Sequence, residues 1–271
     1  MEKTSPTEKQ MKAVEADAVT RDKIEAIAKP WYPPMLYKKG TKAETKFVGY
    51  ESIKATLLSP AAATDYTSFI DAAYNAMIAT WTHSLPETIT FEEKERVVGE
   101  IIKRKEATVP LETLNLTFAL EGISRQATHQ IVRHRMLGYG QTSLRISDAR
   151  LADIRLPSAI ANAKPEMLTR FKALMTRTKE FYADMIDSGI PIEQARVVLP
   201  IGTITYIVET GNLRAWLGVW SSRWAAGVQD EHRLITCAEL GELRAKQPQL
   251  HTFLRKAGAI PDIDALGDKD G

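Results

Sequence analysis

The chain has 271 residues, 44% of them hydrophobic, which is enough to bury a core without metals or disulfides. Its 36 basic and 34 acidic residues leave a formal charge of +2, too even for a protein that coats nucleic acid with its whole surface. The single cysteine has no intramolecular partner, no leader-like segment is visible, and charges interrupt every apolar stretch before the roughly 18 residues of a membrane span, so a cytoplasmic setting is expected.

Met1 to about Lys29 is charged and Ala-rich, and reads as a surface helix or a loosely ordered arm. Lys29 to Pro34 must run extended, because proline restricts itself and its predecessor; it closes an N-terminal arm, 1–34, ahead of one main domain, 35–258. An acidic tail, 259–271, is expected to fray from Asp262 onward. Helices are expected over Asp65 to Thr82 and over Phe91 to Glu106, the latter capped by Thr90 with an acidic first turn.

From Thr113 to Glu121, Leu114, Leu116, Phe118 and Leu120 alternate with smaller or polar residues, the period of a strand, and Gly122 is expected to end it. Ser124 then caps a helix running to Leu137, with Gly138 as its stop. Tyr139 to Ile146 lacks helical periodicity; an extended path would put Gln141, Ser143 and Arg145 on one side. A long helix is expected from Pro165 to about Ser188, with Met167, Phe171, Met175, Phe181 and Met185 as core and Gly189 closing it. Pro191 opens a short helix through Arg196, Ile204 to Val208 reads as a strand, a helix starts near Asn212, and Asp230 to Gly258 looks mostly helical. The mixture predicts an α+β fold.

Charge is concentrated between Glu121 and Arg150, where five arginines (125, 133, 135, 145, 150) face only Glu121 and Asp148. Arg133-His134-Arg135 falls in the expected last helical turn, where the macrodipole favours cations, so a structural explanation stands beside a functional one. Consecutive helical residues point about 100° apart, so the three heads would fan out, an arrangement suited to a large polyanion such as pyrophosphate. Gln130 shares part of that face. Ser143 and Arg145 offer a hydroxyl and a guanidinium to a phosphate.

Arg133-His134-Arg135, seven residues, then Ser143 and Arg145 resemble the signature of the flavin-dependent thymidylate synthases. The likeness runs from about Val109 to Arg233. It includes Glu112, Gly122-Ile123-Ser124-Arg125, His129-Gln130, Ala195 to Pro200, Thr210 to Trp216, Arg223, Gln229 and Glu231. It implies a homotetramer of long helices packed with a mostly antiparallel sheet, with active sites assembled from several subunits. It implies FAD as cofactor, with NADPH as reductant and methylenetetrahydrofolate as carbon donor for the C5 methyl of thymidylate. By the same resemblance Arg133, His134, Arg135, Asn212 and Arg214 would bind FAD. Gln130, Arg133, Gln141, Ser143, Arg145, Arg196 and Arg223 would surround the uridylate, with Arg223 as the catalytic cation beside the ring. No metal, nucleic acid or membrane partner is implied, and Cys237 reads as a packed helix residue.

The chain departs from the family pattern mainly on the flavin side. Of the polar members of a His-x-Ser/Thr-x-x-Glu-His stretch, Ala107 to Thr113 keeps only Glu112, and Gly218 and Gly227 stand where polar side chains are expected. This leaves open a member that methylates UMP for a nucleoside natural product. A nucleic-acid-binding regulator, with 124–137 as recognition helix, is the alternative from another class.

Overall fold

The computed structural model describes residues 40–59, 66–79, 89–104 and 108–266. The expectations for Met1 to Pro34, for Ala107 and for the last five residues of the tail lie outside these. The elements in chain order are strands β1 (Phe47–Val48) and β2 (Lys54–Ser59), then helices α1 (Tyr66–Ile78) and α2 (Phe91–Arg104). Next come β3 (Asn115–Ser124), α3 (Arg125–Ile131), β4 (Gly138–Gln141), β5 (Ile154–Arg155), α4 (Ser158–Ala161) and α5 (Pro165–Asp187). The chain continues with α6 (Ile192–Ala195), β6 (Ile204–Asn212), α7 (Leu213–Trp224), α8 (Asp230–Lys246) and α9 (Pro248–Lys256).

The main sheet has the order β2-β3-β6-β4 and is antiparallel throughout, while β1 and β5 form a small parallel pair. The α+β expectation holds. β3 is central because Leu116, Phe118, Leu120 and Ile123 are all fully buried. The Phe118 ring meets Trp216 edge-on at 5.0 Å, and Trp216 stacks on Trp220 at 5.5 Å, so α7 is fastened to the sheet by three aromatic rings. Tyr66, Phe69, Ile70, Leu243, Phe253 and Leu254 extend this core through α1, α8 and α9.

Several local expectations are corrected. Gly122 does not end β3. It sits at φ 67° within the strand, where the register to β6 shifts between Leu120 and Ile123, and an added Cβ would lie 1.9 Å from Ser52 O. Only glycine fits a bulge that brings two backbones so close. The helix from Ser124 stops at Ile131, so Arg133-His134-Arg135 occupies turns beyond it, and Gly138 opens a strand rather than closing a helix. Tyr139 to Ile146 is extended only as far as Ser143, where the Ile146 and Ser147 amides turn back to Ser143 O.

In α5 the buried residues are Lys179, Tyr182, Ala183 and Ile186, while Met167, Leu174 and Phe181 are more than half exposed and seven residues apart. β6 runs on to Asn212, because pairing with β3 continues to Asn115. The tail does not fray at Asp262: Asp262 pairs with Arg255, Asp264 pairs with Arg244, and Ile260 is in the core.

Candidate active site

The short helix α3 carries the site, and its two ends are held by different parts of the chain. At its start the Ser124 hydroxyl accepts from the Ala127 amide at 3.1 Å, the cap read from sequence. The same hydroxyl donates to Glu231 Oε2 at 2.7 Å, and the Ser124 amide donates to Glu231 Oε1 at 2.8 Å. Glu231 is fully buried and is neutralised by Arg155, whose Nε lies 3.1 Å away and whose remaining donors go to Gly49 O, Ser52 Oγ and Gly122 O. A buried charge is tolerated only when paired in this way.

At the other end of α3, Gln130 O accepts from Arg223 Nη2 at 3.1 Å, and Arg223 Nε donates to His134 Nε2 at 2.7 Å. Arginine has only donors, so His134 uses a lone pair and carries its proton on Nδ1. Burial, and then the charge of Arg223, hold its pKa below the usual imidazole value. The Gln130 amide donates to Gln229 Oε1 at 2.8 Å, ahead of α8. Thus Gln130, His134 and Arg223 meet within one protomer. They do so although the fan expected of a continuous helix is absent.

Gln141 points its amide at Thr128 Oγ1 (2.9 Å) and Thr205 Oγ1 (3.4 Å), back along α3. Ser143 Oγ accepts from the Arg145 amide at 3.2 Å, so these two lie in one tight turn rather than side by side on a strand. Beside that turn is a cleft of about 370 Å³ lined by Arg125, His129, Leu144, Glu193 and Arg196. Arg125 donates from Nη2 to Thr142 O at 2.6 Å, its Nε is buried without a partner, and burial followed by the Arg196 charge lowers its pKa. Arg196 lines this cleft with His129, whereas Arg223 meets His134 and the carbonyl of Gln130, the next residue along α3. The structure therefore does not bring all the sequence-selected residues to one point.

Arg214 is exposed and paired with Glu112 at 2.7 Å, and Asn212 caps α7 by accepting from the Ala215 amide at 2.9 Å. Gly218 and Gly227 have open space where a Cβ would stand. Among the described residues, no carboxylate pairs with Arg133, Arg135 or Arg145. Arg133, Arg135 and Arg145 are all exposed, so solvent screens their charge and leaves the guanidiniums accessible to a phosphate. None of the described His, Cys, Asp and Glu side chains cluster in a group of three or more suited to a metal ion.

A family model described as thymidylate synthase complementing protein matches residues 47–249. The chain belongs to this family. Curated flavin-dependent thymidylate synthases match it, among them those of Nitratidesulfovibrio vulgaris, 31% identical over 195 residues (68% of this chain, 78% of the relative), and Thermococcus onnurineus, 35% identical over 161 residues (58% of this chain). The chain spans 65% of the length of the Thermococcus onnurineus relative. A crystal structure of the UMP/dUMP methylase PolB from Streptomyces cacaoi, bound with 5-Br dUMP, superposes with a TM-score of 0.63 and 19% identity, covering 81% of this chain and all of that one. The thymidylate synthase complementing fold is therefore shared well beyond the residues of the signature.

Sequence reasoning missed Arg125, Tyr139 and Arg155 as residues that build the site. Arg125 carried a signal, since it lies in the stretch that resembles the family; Arg155 acts through Glu231, far along the chain, and Tyr139 through carbonyls of a turn that the expected continuous helix hid. Cys237 is half-buried on α8, and burial pushes its thiol up to about 11, which removes the thiolate a nucleophile needs. Cys237→Ser is expected to leave turnover unchanged in a steady-state assay, whereas loss of turnover in a folded variant would make the thiol a participant.

Proposed function

We propose that the protein catalyses FAD-dependent reductive C5-methylation of a uridine 5'-monophosphate, dUMP to dTMP, with methylenetetrahydrofolate as carbon donor and NADPH as reductant. The observation that carries this is the Arg223 guanidinium fixed against neutral His134 and Gln130 O, together with Arg133, Arg135 and Arg145, which have no carboxylate partner among the described residues. Arg133 and Arg135, exposed and without a carboxylate partner among the described residues, fit the pyrophosphate of a flavin dinucleotide, and Arg133, His134, Arg135, Asn212 and Arg214 would hold it. Bound FAD would supply the two electrons that take the transferred carbon from methylene to methyl.

In this reading Arg223 stabilises negative charge as it develops on the pyrimidine, because a cation held by two bonds needs no reorganisation during reaction. Gln130, Arg133 and Gln141 orient the base and sugar, and Ser143, Arg145 and Arg196 take the phosphate. The exposed, seven-spaced apolar stripe of α5 supports a homotetramer whose sites join residues of different copies. The setting would be cytoplasmic, with no nucleic-acid partner; a seven-residue α3 with Ala127, Thr128 and Ile131 buried is too short to read a groove. Among the described residues, no helix is long and apolar enough to cross a membrane.

The departures from the family pattern at 107–109, 218 and 227 motivate one variant of this reading, a family member acting on UMP. Purified protein incubated with dUMP and UMP in parallel, with methylenetetrahydrofolate and NADPH, decides the sugar. Absence of any C5-methylated product from flavin-loaded protein would overturn the reading.

The division of roles has its own test. Arg145→Ala is expected to weaken uridylate binding roughly tenfold or more, the loss of one charge-assisted phosphate contact, while changing FAD retention little. His134→Ala is expected to release FAD first. Flavin fluorescence and nucleotide titrations on both variants separate the two; FAD loss from Arg145→Ala at normal uridylate affinity would reverse the assignment.

A further inference from the structure

Tyr139 stands on β4 with its Cα opposite Glu209 of β6, and its ring packs against two adjoining buried clusters. Its hydroxyl lies 2.9 Å from Ile131 O and 2.8 Å from His134 O. A phenol has one proton, so the two carbonyls share it in a three-centre bond. Ile131 is the last residue of α3, and a helix end leaves such carbonyls without an intrahelical partner. His134 is the middle residue of Arg133-His134-Arg135. Besides Arg223, the turn is held by single backbone bonds, Arg133 N to Gln130 O at 3.2 Å, His134 N to Ile131 O at 3.0 Å and Leu137 N to His134 O at 3.1 Å.

The hydroxyl therefore closes the turn across its mouth. That fixes the backbone of His134, whose ring in turn accepts from Arg223 Nε. The second anchor of Arg223, Gln130 O, belongs to the same segment. Both groups that locate the guanidinium thus depend on the conformation that Tyr139 clamps. Burial and the neighbouring Glu209 and Glu239 push the phenol pKa up, so the hydroxyl remains a donor.

We propose that Tyr139 is a positioning residue: by clamping the carbonyls of Ile131 and His134, its hydroxyl holds the Arg133–Arg135 turn in the conformation that presents His134 Nε2 to Arg223. The functional meaning rests on the reading of this cluster as the uridylate and flavin site, but the clamp itself is independent of it. A phenylalanine would keep the ring packing and remove only the clamp.

The test uses the full chain with Tyr139→Phe, and reads the protonation of the His134 ring against pH by NMR. In the native protein burial and Arg223 depress this titration. In Tyr139→Phe it is expected to move up toward the ordinary imidazole range, with uridylate affinity falling about fivefold, the scale of one lost hydrogen bond. Tyr182→Phe, which removes a buried phenol from the separate cluster around Ala149 and Ala195, is the control and should leave His134 unmoved. An unchanged His134 titration in folded Tyr139→Phe would overturn the proposal. If the native protein bound no uridylate, the functional reading would fail, while the histidine titration would still decide the clamp.

Discussion

Arg223→Ala is expected to lower the rate of uridylate methylation by about a hundredfold or more in a protein that stays folded. Arg223 lies in the last turn of α7 and is only half-buried, so its removal opens no large cavity. What disappears is a cation whose Nε and Nη2 are already committed to His134 and Gln130 O, leaving its remaining donors to face a ligand. Such a preorganised charge acts where negative charge develops, so the loss belongs in the chemical step more than in nucleotide affinity. His134 reports on the same change independently of activity. Arg223 is the second cause of its depressed pKa after burial, so in Arg223→Ala the ring should titrate higher without reaching an unperturbed value. Full activity in a folded variant would remove Arg223 from the mechanism.

The α+β class, the position of β3 and the Ser124 cap were legible because each depends on local pattern. The end of α3 was not. Nothing near Ile131 breaks a helix; the helix stops where Tyr139 and Arg223, 8 and 92 residues further on, take the carbonyls that close it. Gly122 was misread for a related reason. Its positive φ looks from sequence like a terminator, but it is a bulge imposed by Ser52 on the neighbouring β2 side. In α5 the periodic Met167 and Phe181 were read as core of this chain. A helical pattern records that a face is apolar, without recording whether the cover comes from the same protomer. β2 escaped notice because Leu57 alone of its residues is buried.

Glu209→Gln is expected to flatten the pH dependence of stability between pH 4.5 and 7. Glu209 on β6 and Glu239 on α8 are 1% and 2% exposed and interact electrostatically, so two charges there would be costly and protonation of one is favoured. Trp220 Nε1 donates to Glu239 Oε2 at 2.9 Å. Burial raises the Glu209 pKa to about 7, and burial together with the charge of Glu209 holds Glu239 well above the carboxylate range, so Glu239 keeps the proton when Glu209 ionises. In the unfolded chain both carboxyls titrate near 4.5.

Between pH 4.5 and about 7 the folded state therefore binds more protons than the unfolded one, and the contribution of Glu209 to stability is lost as pH rises through that window. The span from 4.5 to about 7 corresponds to roughly 3 kcal/mol. His232 works in the opposite sense. Burial pushes its pKa down to about 4, so its contribution is lost as pH falls from 6.5 toward 4, and it offsets part of the combined slope from Glu209 and Glu239. Subtracting the two proteins removes His232. Whatever a buried amide costs at position 209 is independent of pH, so the quantity to compare is the change in unfolding free energy from pH 4.5 to 8, from denaturant titrations of each protein. The native protein should lose roughly 3 kcal/mol more across that range than Glu209→Gln, and equal slopes would mean that Glu209 is already ionised in the folded protein at acid pH.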